Sequence, residues 1–332
     1  METYLGKKMN YNFIIIRTKK GRKYARKILS SVNWIGQHKY PDSFFNILDF
    51  TIEEFLVLPN HDFKQVYGVN NTIIHARCAN PRTEWTEKLR ELEEDGYKVV
   101  NSVDCIELTS NKLACSLHLQ GKVNHPKSLE WKKNWSYEEK VDFINMAFHK
   151  FDMPKFFVAK PYTSLEQGAN VKKLSFLEGN NNDVITSIDV IPGNKIVIQE
   201  YVDYTALHRV IVIGGKALPY TFIDKPEWHP DNWKVSCCLN RTTMRINENA
   251  NKELLKLAEQ TQKEVGGVIN FIDIFEYGFP DERPEWPMYT NAEINTACSL
   301  NIHEELAKKA GRKDWNIHYR IAKQLVKELI DG

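Results

Sequence analysis

The sequence predicts a mixed α/β (α+β) chain: a small lobe with a mostly parallel sheet, followed by two α+β lobes. Three observations predict it. The first 108 residues alternate short apolar runs with amphipathic segments, the pattern of strands joined by helical crossovers. A Gly214-Gly215 pair separates two runs rich in β-branched residues, as in a tight hairpin. After residue 150, apolar strands recur that turn polar at their ends. The lobes are drawn as residues 1–108, 109–199 and 200–332.

In the first lobe, Asn12 to Arg17 is a short apolar run that reads as a buried strand, and Lys23 to Leu29 reads as helix. Asn46 to Phe50 and Thr72 to Arg77 read as strands. Thr86 to Asp95 has helical spacing, with Trp85, Leu89 and Leu92 on one face and Gly96 placed to cap its end. Lys98 to Val100 is a further strand. In the middle lobe Leu113 to Leu119 is a helix, and the stretch from Pro126 to Trp135 reads as a loop. Tyr137 to Phe151 is a helix with Val141, Ile144 and Phe148 facing inward, and Phe156 to Pro161 and Ile196 to Val202 are strands. In the last lobe Arg209 to Ile213 and Ala217 to Phe222 form the hairpin, Asn251 to Val265 a helix, and Gly267 to Tyr277 a strand. Pro280 to Pro287 is a loop, Met288 to Ile294 pairs with the strand before it, and Trp315 to Ile330 is a closing helix.

Composition bounds the function. The 332 residues are 42% hydrophobic and 27% charged, an ordinary globular balance, and the net charge is +2. That charge calls for neither nucleic acid nor an anionic membrane, although a local basic run extends from Lys19 to Lys27. The six cysteines, Cys78, Cys105, Cys115, Cys237, Cys238 and Cys298, have no zinc-site spacing and no CxxC, and read as thiols in a reducing compartment. No apolar run reaches the roughly 18 residues of a membrane span, and the start lacks the apolar core of a signal peptide, so the expectation is cytoplasmic. Oligomeric state is open.

The chemistry-bearing residues lie late in the chain. Glu293 and Asn295 are two apart on one strand and leave the same face. Asp273 lies on the preceding strand. If the two strands pair, three oxygen donors converge, and such a set suits Mg2+. Lys160 ends an apolar strand, where its ammonium can meet phosphate, and residues 162 to 171 offer backbone N–H groups to cover phosphates. Gln199 to Val202 turns from apolar to polar, as a slot for a flat heterocycle requires. Arg209 opens a strand and can hold phosphate or carboxylate with its fork. His208 and His303 are proton-transfer candidates, but each reads better as a structural histidine.

Taken in order, Asn111-Lys112, Lys160 with Gln167-Gly168, Gln199 to Val202, Arg209, Asp273 and Glu293-Ile294-Asn295 resemble the ATP-grasp superfamily, nearest its RimK-like and glutathione synthetase-like branch. The likeness runs from about residue 70 onward and includes Gly96 to Ser102. It implies a fold whose last two lobes clasp ATP, and an ADP-forming ligase that joins a carboxylate to an amine through an acyl phosphate. A silent ATP-binding regulator and a small-molecule kinase are the alternatives. The resemblance implies that Lys112 and Lys160 contact phosphates, and that Gln167 and Gly168 belong to the covering loop. It also implies that Glu200, Tyr201 and Val202 line the adenine pocket, with Asp203 toward the ribose. Arg209 would face the transferred phosphate. Asp273, Glu293 and Asn295 would hold a pair of Mg2+ ions, with Mn2+ possible. Arg241, or else Lys234 or Arg245, would hold substrate. The implied partners are small-molecule or peptide substrates. Four departures mark divergence: Leu165 and Asn170 stand where the family loop carries glycine, Leu207 replaces an acidic residue, no proline follows Asn295, and the link from Asp273 to Glu293 is long, with Pro280, Pro284 and Pro287 inside it.

Overall fold

The computed structural model describes residues 9–77, 83–162, 170–176, 181–229, 233, 243–278 and 288–331. The first sheet takes shape around β1 (Asn10–Arg17), which leads through α1 (Arg22–Lys39) to β2 (Phe44–Thr51). Next come α2 (Ile52–Val57), α3 (Asn60–Val66), β3 (Thr72–Arg77), α4 (Thr83–Glu94) and β4 (Lys98–Val100). The four strands are parallel in the order β2-β1-β3-β4. Helices cover both faces, which is why β1 is apolar without alternation. Phe13 and Ile15 pack with Ala25 and Ile28 of α1, while Ile14 and Ile16 pack with Trp85 and Leu89 of α4. Gly96 follows α4 at φ +93°, a left-handed turn that glycine makes without strain.

Then α5 (Val103–Ser110) and α6 (Lys112–Leu119) lead into β5 (Ser128–Lys132), α7 (Tyr137–Lys150), β6 (Phe156–Pro161), β7 (Lys172–Ser175), α8 (Asn181–Asp189) and β8 (Lys195–Glu200). The second sheet is antiparallel, in the order β5-β8-β6-β7. Its presence corrects the reading of Pro126 to Trp135 as loop. Residues 129–132 alternate in burial, and Trp131 lies opposite Ile196 of β8. The inward face of α7 is also shifted: Phe143, Ile144 and Ala147 are buried, and Val141 and Phe148 only partly. Trp131 is fully enclosed, and its indole N–H donates to Asp189 at 3.0 Å. Trp131→Ala is expected to cost about 3–5 kcal/mol, read as a lowered urea midpoint; a loss under about 1 kcal/mol would contradict that packing.

The third sheet comprises β9 (Tyr204–Ile213), β10 (Lys216–Ala217), β11 (Thr221–Asp224) and β12 (Arg245–Asn247) and, after α9 (Lys252–Glu264), β13 (Ile269–Tyr277) and β14 (Met288–Asn295). Its order is β12-β11-β9-β13-β14, with β10 on β9. The expected hairpin is present. Gly214 and Gly215 both have positive φ (58° and 80°), as a two-residue turn between twisted strands requires. Finally α10 (Asn301–Lys309) and α11 (Ile317–Ile330) close the chain. One apolar core joins the first and third sheets: Phe13 and Ile28 share it with Ile211, Phe271 and Leu325. The second sheet keeps its own core around Trp131, Phe157 and Ile198. Asn101 fastens the seam by donating to the Ile269 carbonyl and accepting from the N–H groups of Val268 and Ile269.

Candidate active site

The third sheet sets out a row of charge. Register places Arg209 of β9 opposite Asp273 of β13, and Asp273 opposite Glu293 of β14. Directly after Asp273 the β13–β14 ladder shifts: Ile274 pairs with Asn291, leaving Ala292 as the extra residue. Such a bulge re-aims side chains and is frequent beside active sites. The expected pairing of Asp273 with Glu293 therefore holds, and Asn295 lies two residues on, opposite Phe271.

Arg209 grips Asp273 with a fork, Nε to Oδ1 at 2.8 Å and Nη2 to Oδ2 at 2.7 Å, and both residues are buried. Burial pushes the Asp273 carboxyl above its usual range against this pairing, and Glu293 adds repulsion in the same sense. Glu293 is open enough to take a ligand and lies 3.6 Å from the Lys112 ammonium.

Lys112 is the first residue of α6, which Asn111 caps by accepting from the Ala114 N–H. The Lys112 N–H donates to the Tyr162 carbonyl, and Asn111 Nδ2 to the Tyr162 hydroxyl, so the start of α6 is tied to the end of β6. Lys160, on β6, thereby comes close to Lys112. Its ammonium donates to Gln199 Oε1 at 2.7 Å; Gln199 Nε2 in turn donates to Ser128, whose hydroxyl also meets Ser116 at 2.7 Å. Burial, reinforced by Lys112, lowers Lys160 to about 7. Sequence reasoning missed this tether. The available signal was Gln199 itself, the polar residue directly after the apolar run Ile196 to Ile198 of β8.

The strand end after Gln199 is held from both sides. Glu200 accepts from the Lys127 N–H at 3.1 Å, and the Tyr201 hydroxyl donates to Asp203 at 3.3 Å. The Lys173 ammonium of β7 lies 3.9 Å over the Tyr201 ring, a cation–π contact that the sequence did not suggest. Val202 packs against the core shared by the first and third sheets.

Other expected residues lie elsewhere. Gln167, Gly168, Lys234 and Arg241 fall outside the described residues, as do Leu165 and the loop from Pro280 to Pro287. Arg245 is on edge strand β12 and donates to the Thr243 carbonyl. His208 bridges Thr221 and Glu276, each at 3.0 Å, and His303 meets the Ser299 carbonyl. Burial, with Arg209 nearby, lowers His303 to about 3, and these bonds fit the structural reading of both histidines. Asn170 has φ +61°. The left-handed geometry of a glycine is thus kept by asparagine, the side chain that tolerates it best.

Among the described residues, no three His, Cys, Asp or Glu side chains gather as a metal nest. The set here is two carboxylates and one amide, all hard oxygen donors. With Glu293 open beside Asp273, it fits Mg2+. Among the described residues no helix is long and apolar enough to cross a membrane.

No protein-family model and no curated protein matches the sequence. Solved structures do match. The ATP-grasp ligase PsnB, complexed with precursor peptide PsnA2 and AMPPNP, is similar at TM-score 0.62 and 15% identity, covering 97% of this chain and 98% of that one. A RimK-domain ATP-grasp protein from Sphaerobacter thermophilus is similar at TM-score 0.59 and 14% identity, covering 93% and 98%. D-alanine–D-alanine ligase from Bacillus anthracis, complexed with ATP, is similar at TM-score 0.60 and 13% identity, covering 98% and 99%.

Proposed function

We propose that this chain, which has the ATP-grasp fold, binds Mg-ATP between its second and third sheets and uses it to activate a carboxylate for attack by an amine, releasing ADP and phosphate. The convergence of Lys112, Lys160 and Glu293 beside the Arg209–Asp273 pair carries the reading. Similar folds that hold AMPPNP, ATP, or Mg and ADP support it.

In this reading Lys112 and Lys160 neutralise phosphate oxygens, and Arg209 orients Asp273 and offsets part of the burial that raises its carboxyl pKa. Asp273, Glu293 and Asn295 would hold Mg2+, which would draw charge from the phosphate oxygens. Glu200 to Val202 offer backbone groups to the adenine edge, with Tyr201 and Val202 as apolar wall and Asp203 toward the ribose. Residues 163–169, with Gln167 and Gly168, would cover the phosphates and exclude water from the activated acyl group. Arg241 would hold substrate.

A second reading, a nucleotide binder without transfer, draws on Asp273, both of whose oxygens are engaged by Arg209. Phosphate release separates the two. A ligase releases phosphate only when carboxylate and amine substrates are both present. A screen of amino acids and peptides with no substrate-dependent release, alongside nucleotide-dependent thermal stabilisation, would favour the binder.

Lys160 gives a pH signature. Its folded-state pKa, about 7, lies below the ordinary lysine value, so the unfolded chain binds the extra proton between the two. This group therefore adds stability as pH rises from about 7 toward about 10. Phosphate contact reverses the preference by favouring the ammonium. ATP binding near pH 8 is expected to take up close to one proton, measured by calorimetry in buffers of different ionisation heat, and affinity should fall above about pH 7. Binding without proton uptake would show that Lys160 does not meet the phosphates.

A further inference from the structure

One feature of the sequence stands outside the ATP site. Between Glu2 and Asp42 there is no acidic residue, while Arg17, Lys19, Lys20, Arg22, Lys23, Arg26 and Lys27 crowd one stretch of a chain whose net charge is only +2. The structure gathers part of this charge around an open groove of about 890 Å3 between α1 and the carboxyl end of β2. Arg17, in its wall, is already paired with Asp49, whereas Lys19, Arg22 and Arg26 are exposed and form no ion pair with another described residue. The first turn of α1 carries no acidic side chain, and its cap, Gly21, makes no side-chain bond, so the positive helix end adds to the same field. On the other side of α1 a second groove of about 740 Å3 shares Arg22, Arg26 and Ser30, so the cationic surface is continuous over the helix.

Three properties narrow the ligand. The helix from Arg22 to Asn33 rises about 17 Å, the length of about five extended residues, too long for a single small anion to fill. Among the described residues no aromatic ring lines the first groove, so nucleobases would find nothing to stack on there. Asp49 and Glu54 interrupt the cations, which disfavours a uniform phosphate backbone but tolerates spaced carboxylates. A concave groove is also a poor fit to a flat bilayer. We infer that this groove docks an acidic peptide segment of the substrate. The Tyr24 hydroxyl of α1 meets Ser299, and Arg77 at the end of β3 donates to the Cys298 carbonyl at 2.6 Å, so α1 and β3 both abut the segment that follows Asn295. Delivery of the docked segment to the ATP cleft rests on the ligase reading; docking itself does not.

The test uses the full chain without nucleotide, and fluorescence anisotropy of a labelled peptide of alternating Glu and Gly. Arg22→Glu with Arg26→Glu is expected to weaken binding by about tenfold or more, and added salt should weaken wild-type binding. Lys252→Glu with Lys256→Glu, exposed positions on α9, makes the same change in net charge and should alter affinity by less than about twofold. If the Glu pair does not fold, Arg22→Gln with Arg26→Gln replaces it. Equal weakening by both pairs, or no saturable wild-type binding, overturns the inference. So does tighter binding of a single-stranded oligonucleotide, or of phosphatidylserine vesicles, at the same site. Peptide docking without substrate-dependent phosphate release would sink the ligase reading and leave the groove intact.

Discussion

Glu293→Gln is expected to lower turnover by about a hundredfold or more while leaving the melting temperature within a few degrees of wild type. The side chain is partly open to solvent, and its described ion-pair neighbour, Lys112, is itself tied through Asn111 to β6. Losing the charge therefore removes little packing, but it takes away one of the two carboxylates proposed to hold Mg2+. Steady-state phosphate release and a thermal scan read the two effects separately. Full activity in the variant would end the metal assignment. Asp273→Asn should also cut turnover by orders of magnitude, but it is the less clean probe because the Arg209 fork would lose its charged partner inside the core.

That coupling underlies the second large effect. Arg209→Leu leaves a buried carboxylate without its fork and is expected to cost about 3–5 kcal/mol, read as a shift in the urea midpoint. Asp273→Leu added to it should restore most of that stability, since two apolar side chains can replace a buried ion pair, yet activity should stay lost. A double variant as unstable as Arg209→Leu would show that the pair contributes through geometry rather than by mutual neutralisation.

Much of the fold was legible because burial on both faces writes itself as an unbroken apolar run, as in β1. β5 was not. Ser128 to Lys132 is short, alternates polar with apolar residues, and gains its order from pairing with β8, a long-range fact. α2 was missed although Thr51 and Glu54 form a capping box, a local signal that reading by periodicity overlooks. In the site, the carboxylates were legible from strand spacing and one predicted hairpin. The tether from Lys160 to Gln199 and Ser128 depends on the registers of three strands, which no local pattern carries. The bulge at Ala292 is likewise invisible in a sequence that reads as a plain strand.

The division of the apolar cores governs how the molecule can move. The first and third sheets share one apolar interior, whereas the second sheet has its own, so a swing of the second sheet against the other two would not open that shared interior. The pivots are then the covalent crossings near Gln120 to Pro126 and Tyr201 to Asp203. Asn124, within the first of these crossings, also donates to the Tyr289 carbonyl at 2.6 Å, so Asn124→Ala would remove that tie between the crossing and β14.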